Sequence, residues 1–241
     1  MSEVQRGWLE GPYTHEQLTS RFGPLYVASP RFGLRQSDKT RPIDDMSASL
    51  VNSSFSPSYR LELDGVDSIA ILCRTFAGMV GKDRAVSVEL SDGEKLEGQL
   101  HSSLTLEDAA TLMGRTLDLD SAYKQLLVRE SSLWCSVLQV YDPDGCPHLF
   151  VSQVLPFGAS AAVYSFNRLS RSLQQIGTRL FGQVWTSYFD DYTQIDVAAS
   201  GSNPQQVAES FLDLVGWKYS MKESKRMPMS SSFAALGVEF T

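Results

Sequence analysis

The chain has 241 residues, 42% hydrophobic and 20% charged, and a formal net charge of −7. It can bury a sizeable core, and its acidic balance argues against indiscriminate binding to nucleic acid. No apolar run reaches membrane-spanning length, no signal-peptide pattern opens the chain, and Cys73, Cys135 and Cys146 are too few for a disulfide framework. A reduced, intracellular chain without a membrane partner is the expectation.

Residues 1–60 are rich in Pro, Gly, Ser and Arg and predict irregular structure draped on a core. Within them Arg31, Arg35, Lys39 and Arg41 form a basic stretch that reads either as a phosphate-binding segment or as a solvated loop. A short apolar helical pattern follows over 66–81, and AVSVELSDGEKLEGQL (85–100) alternates around Asp92-Gly93 as a hairpin does. Leu117 and Leu119 flank Asp118 in a short strand, with a helical turn expected through Tyr123. Residues 133–154 predict two strands joined by a turn over 142–145. Ala162, Phe166, Leu169, Leu173, Ile176 and Leu180 recur at helical spacing and predict one continuous apolar face. Asn203 and Pro204 predict a helix start, Gly216 its stop, and Ala234 to Phe240 a closing strand. The fold class is α+β, with helices on a mainly antiparallel sheet. Cys135, Cys146 and His148 match no usual zinc spacing and read as incidental.

The stretch TSYFDDYTQ (186–194) sets Asp190 beside Asp191 inside strand-forming sequence. Neighbours on a flat strand face opposite ways, so one carboxylate would be turned inward at a large desolvation cost. A hairpin with both acids at its tip removes the conflict, either as a solvated turn or as half of a cation site. Asp118 closes another apolar strand. Three carboxylates on neighbouring strands could hold two divalent cations about 3.5–4 Å apart, the geometry of in-line phosphoryl displacement. Arginine suits the phosphates of a substrate because its planar fork donates two hydrogen bonds at once.

KTRPIDD (39–45), LDLDSAY (117–123), LPFGASAAVYSFNR (155–168), YFDD (188–191), Lys225 and ALGV (235–238) occur in one order. In that order the chain resembles the catalytic part of a retroelement reverse transcriptase, over roughly 28–52 and 115–241. The resemblance implies a right-hand polymerase palm, an antiparallel sheet with packed helices, over 116–241. Residues 1–115 would supply fingers strands and an unassigned insert, with a further fingers hairpin at about 133–154. It implies Asp118, Asp190 and Asp191 as ligands of two Mg²⁺ ions, with Mn²⁺ as a substitute, and Lys225 as the proton donor to leaving pyrophosphate. Lys39 and Arg41 would grip the triphosphate, Ser121 and Ala122 would offer backbone N–H groups, and Tyr123 would gate the sugar. Phe157 and Gly158 would shape the base-pair pocket, and Leu236 and Gly237 would hold the primer end. The implied partners are deoxynucleoside triphosphates and a primed RNA or DNA template.

Asp120 departs from the family pattern, since an added acid there repels triphosphate. Residues 53–114 are longer than the corresponding part of compact relatives and hold an unassigned insert. The chain stops just after the ALGV match, so the resemblance implies a fragment of a polyprotein without its thumb and RNase H regions. Two other readings stand beside it. An RNA-dependent RNA polymerase has no use for the Tyr123 gate, and a non-catalytic nucleic-acid-binding remnant has no reason to keep all three acids. Asp44 and Asp45 read as structural or exposed. Lys225 has Lys218 and Lys222 as close competitors for its role.

Overall fold

The structure, a computed structural model, describes residues 2–36, 39–90 and 92–241, with Gln36 and Lys39 by backbone alone. In chain order its elements are β1 (Leu9–Tyr13), α1 (His15–Phe22), β2 (Ala28–Gln36), β3 (Lys39–Asp44), α2 (Val66–Gly78), β4 (Ala85–Glu89), β5 (Lys95–Gln99) and α3 (Leu106–Ala110). Then come β6 (Leu112–Asp118), β7 (Val137–Tyr141), β8 (Pro147–Ser152), α4 (Ser160–Phe181), β9 (Trp185–Tyr188), β10 (Asp191–Val197), α5 (Asn203–Leu214), β11 (Phe233–Ala235) and β12 (Val238–Phe240). The class is α+β, and every strand pair but one is antiparallel among the described residues. No helix of the described residues is long and apolar enough to cross a membrane.

The chain divides into two compact units, 1–61 with 121–168 and 62–120 with 169–241. β6 takes its strand partner from far along the chain, in β10, whereas the β7–β8 hairpin pairs with β1 and β2. Local sequence carries no signal for such distant pairings.

In the first unit the sheet runs β1-β8-β7-β2-β3. The expectation of irregular structure over 1–60 is corrected in part, because β1, α1, β2 and β3 take up much of that span, while residues 45–60 hold no helix or strand beyond a short turn at Asn52–Ser54. Helix α1 starts because Thr14 and Gln17 form a reciprocal capping box. Leu18, on that helix, is fully buried against Leu133, Val137 and Val151. A second cluster gathers Leu9, Met46, Leu138, Ala159 and Ala162. Asp142 pins the β7–β8 turn by accepting from the N–H groups of Asp144 and Cys146.

In the second unit the central sheet runs β6-β10-β9. One of its faces carries Ile195, packed with Ile69 of α2 and with Phe233 and Ala235 of β11. The other carries Trp185 and Tyr192, and Trp185 lies against Phe211 of α5. On α4 the predicted stripe holds through Leu173 and then turns away. Ile176 and Leu180 are 38% and 73% exposed, and the buried position is Gly177. The missing side chain makes room for the Trp185 ring, since a Cβ on Gly177 would lie 2.1 Å from Trp185 Cζ2.

Smaller differences have local causes. The cap of α5 is Ser202, one residue before Asn203, with Pro204 in the first turn. The closing strand is a hairpin, because Leu236 and Gly237 adopt φ of +50° and +80° between β11 and β12. The β4–β5 hairpin forms as expected around Gly93, whose φ is +87°.

Gly177→Ala tests the helix–tryptophan contact. Helix propensity alone would favour alanine by about 1 kcal/mol. Overpacking against Trp185 typically costs about 1–3 kcal/mol. Urea denaturation is expected to show a net loss of stability, and a gain would contradict the packing.

Candidate functional site

The acids of the second unit are brought together by strand register. β6 and β10 pair antiparallel from Asp118↔Asp191 to Leu112↔Val197, so Asp118 and Asp191 stand directly opposite and on the same face. β10 also pairs with β9, with Asp191 opposite Tyr188. The loop of that hairpin is thus Phe189-Asp190, and the expectation of both acids at the tip is corrected. Asp190 lies in the loop, while Asp191 is the first residue of the strand. A two-residue hairpin loop needs a left-handed residue, and Phe189 supplies it with φ +53°. For a bulky side chain that conformation costs on the order of 1–2 kcal/mol. Ser170 Oγ donates to the Phe189 carbonyl at 2.6 Å, and the Tyr192 hydroxyl donates to the Ser170 carbonyl at 3.0 Å. Tyr192 is fully buried, and burial pushes its phenol pKa up.

Lys225 completes the group, its Nζ 2.6 Å from Asp118 Oδ2. The chain before and after it is stitched to the free edge of β6. Ser220 N–H donates to the Asp118 carbonyl, Asp120 N–H to the Lys218 carbonyl, and Gly114 and Ser230 exchange two hydrogen bonds. Asp120 itself is exposed.

The electrostatics are those of crowded carboxylates. Asp191 is pushed up to about 6 by burial of its carboxyl and by the charges of Asp190 and Asp118, against the pull of Lys225. The residue as a whole is exposed, so solvent moderates what that shift contributes to stability. As donors, three carboxylates suit a hard cation such as Mg²⁺. Yet among the described residues no three His, Cys, Asp or Glu side chains are gathered into a metal-binding group. Asp118 instead faces the Lys225 ammonium, which would have to yield for Asp118 to become a ligand. In chemistry and charge the carboxylates are of the type such an ion takes, and the positive charge beside Asp118 in this structure is the Lys225 ammonium.

All the remaining candidates but Leu236 and Gly237 lie in the first unit. Tyr123 stacks on Phe166 with ring centroids 4.6 Å apart and meets Phe157 edge-on at 6.0 Å. Ala122 is buried, and Ser121 adopts φ +53°. Gly158 has φ +127° and lies against Asp44, whose carbonyl oxygen would be 2.1 Å from a Cβ. The Asp44 N–H donates to the Phe157 carbonyl at 3.0 Å, and the Phe157 N–H donates to the Asp44 carboxylate oxygen Oδ2 at 3.1 Å. Asp44 is structural, buried and paired with Arg31 Nε at 2.5 Å. Arg41 is exposed on β3 opposite Leu34. Lys39 is placed opposite Gln36 by its backbone only. In the second unit, Leu236 packs on the cluster of Ile69, Ile195 and Phe233 beside Gly237.

Sequence reasoning passed over Arg115. Its side chain is 1% exposed, its Nε donates to Gln194 at 2.6 Å, and its Nη1 pairs with Glu209 at 3.0 Å. The signal was present in LMGRTLD, a charge inside a strand-forming run, which is the feature that drew attention to the aspartates.

No protein-family model matches the chain, and no curated protein matches it significantly.

The raised Asp191 gives a signed pH dependence. Its folded-state value of about 6 lies above the ordinary value of 3.8, so the fold binds the proton more tightly than the unfolded chain does. The charged form therefore opposes folding above about pH 6, and the opposition is relieved as pH falls toward 4. In chelator, Asp191→Asn is expected to raise stability at pH 7.5 by about 1 kcal/mol, discounted for exposure, and by nothing near pH 4. Urea midpoints across that range check it, and a pH-independent difference would contradict it.

Proposed function

We propose that the chain is the catalytic part of a reverse transcriptase, with the second unit as palm and the first as fingers. The observation that carries the reading is the pairing of Asp118 with Asp191 across β6 and β10, with Asp190 in the adjoining loop and Lys225 on Asp118. The order of the six sequence motifs supports it independently. So does the backing of a short antiparallel sheet by helices on its faces.

In this reading Asp118 and Asp190 hold the metal ions, with Asp191 beside them. Two bound Mg²⁺ ions would supply Lewis acidity, favouring the primer 3′-hydroxylate and balancing charge on pyrophosphate. The Lys225 ammonium carries the proton that the leaving pyrophosphate takes, from Nζ. Its contact with Asp118 keeps it local before substrate arrives. The family resemblance would give the grip on the triphosphate to Arg41 and Lys39, with backbone N–H groups of Ser121 and Ala122 as further donors. Phe157 and Gly158 border the nascent base pair, and the tight approach of Gly158 to Asp44 fixes that turn. Leu236 and Gly237 form a hairpin turn anchored in the core, suited to holding a primer end. Template and primer are held by backbone and A-form shape, without sequence preference.

Tyr123 decides which sugar is used. Its ring is fixed by Phe166 and Phe157, so it cannot easily swing aside for a 2′-hydroxyl. Overpacking of about 1–3 kcal/mol corresponds to roughly ten- to hundredfold discrimination.

Single-nucleotide extension of a DNA primer on an RNA template, at protein in excess over duplex, tests the reading without requiring processive synthesis. Incorporation is expected with Mg²⁺ and lost in chelator. Asp190→Asn is expected to lower it by at least about 10²–10³-fold, the scale of losing a major charge-stabilising group. Tyr123→Val is expected to raise ribonucleotide relative to deoxynucleotide incorporation. Absence of incorporation with either metal, or full activity in Asp190→Asn, would overturn the assignment.

A further inference from the structure

Lys225 belongs to a stretch, 221–228, in which every residue is exposed. An ion pair from such a stretch contributes little by itself, because two long side chains must be held in one geometry. Something else keeps the ammonium on Asp118. The next residue, Arg226, donates from Nη2 to Glu209 Oε2 at 2.5 Å and from Nε to Oε1 at 3.3 Å. The N–H groups of Lys225 and Arg226 both donate to the Lys222 carbonyl, at 2.9 and 2.8 Å. The two cations therefore share one tight turn, one reaching Asp118 and the other Glu209.

Glu209 is itself firmly held. Its side chain is 10% exposed, it lies on α5, and it accepts from Arg115 Nη1 and Gln205 Nε2, both at 3.0 Å. Burial pushes its carboxyl up, but hydrogen bonds from Arg226, Gln205 and Arg115 outweigh this and hold it below the usual range. Arg115 sits on β6 three residues before Asp118. The contacts close a ring: Asp118 to Lys225, along the chain to Arg226, across to Glu209, back to Arg115, and along β6 to Asp118. Removing the carboxylate would leave a buried guanidinium without its counter-charge, so Glu209 is a fixed point of the ring.

We propose that Glu209 is a positioning residue for Lys225. Acting through Arg226, it sets the 222–226 turn so that the Lys225 ammonium faces Asp118. The catalytic part of this role rests on the nucleotidyl-transfer reading; the positioning does not.

Arg226→Ala is the cleanest test, because it spares the buried Arg115–Glu209 pair. Glu209→Gln removes the anchor itself, and Arg226→Lys restores a cation. The activity-independent readout is the Lys225 side-chain ammonium resonance in ¹⁵N–¹H spectra, identified by its loss in Lys225→Arg. It is expected to show coupling to the Asp118 carboxyl in the wild type. That coupling should vanish in Arg226→Ala and Glu209→Gln and return in part in Arg226→Lys, with Arg226→Ala melting as the wild type does. In primer extension, kcat is expected to fall about tenfold in Arg226→Ala with KM for the deoxynucleotide unchanged, as for a misplaced catalytic group. Persistence of the coupling in Arg226→Ala, or its absence in the wild type, would overturn the proposal. A wild-type protein that extends no primer would instead sink the nucleotidyl-transfer reading, while the resonance still decides the positioning.

Discussion

A buried hydrogen bond between Arg115 and Gln194 fixes the arrangement on which the acidic site depends. The two residues are direct partners across β6 and β10, and Nε meets Oε1 at 2.6 Å. Because side chains alternate along a strand, a slip of one residue would turn every one of them to the other face. Arg115 cannot accept that slip, since it would leave Glu209 on α5 and expose a paired guanidinium to an apolar neighbour. With Arg115 opposite Gln194, Asp118 falls opposite Asp191. The polar bond thus specifies register, which the apolar residues of the same strands would specify less sharply. Its cost is visible in Arg115 Nη2, which is buried and has no hydrogen-bond partner among the described residues.

A second constraint lies at the hairpin loop. Phe189 takes a conformation that glycine or asparagine would adopt more readily, and it is held there by Ser170 on α4. Ser170 is held in turn by the fully buried Tyr192, which follows Asp191 on the strand. Strain in the loop is offset by hydrogen bonds in the core, so the loop that carries Asp190 is braced from the helix side. Such strain at a bulky residue, next to three carboxylates, is the kind of local cost that persists where the surrounding structure over-determines it.

How much of this was legible in the sequence depended on distance along the chain. The 85–100 and 133–154 hairpins, α2 and most of α4 follow from periodicity and turn residues, which are local. The division into two units was not legible, because β6 finds its partner beyond an entire helix. The end of the α4 stripe was misread because Gly177, which bears no side chain, is the position that packs against Trp185. Among the candidate site residues, the opposition of Asp118 and Asp191 follows from a register that neither segment reveals alone. Lys225 could not be told from Lys218 and Lys222 by type or spacing. Its contact with Asp118 depends on Glu209 and Arg226, whose pairing is a tertiary fact.

On the proposed reading, Asp118, Asp190 and Asp191 act as one divalent-metal site. Substoichiometric Mn²⁺, added to isotope-labelled protein, tests it most directly, because paramagnetic broadening falls off steeply with distance from the bound ion. Broadening is expected to centre on residues 118, 190 and 191 and to be reversed by excess Mg²⁺, with the Lys225 ammonium released from Asp118 as metal binds. Broadening centred on other acids, such as Glu94 and Glu97 of the β4–β5 hairpin, with residues 118, 190 and 191 untouched, would contradict it.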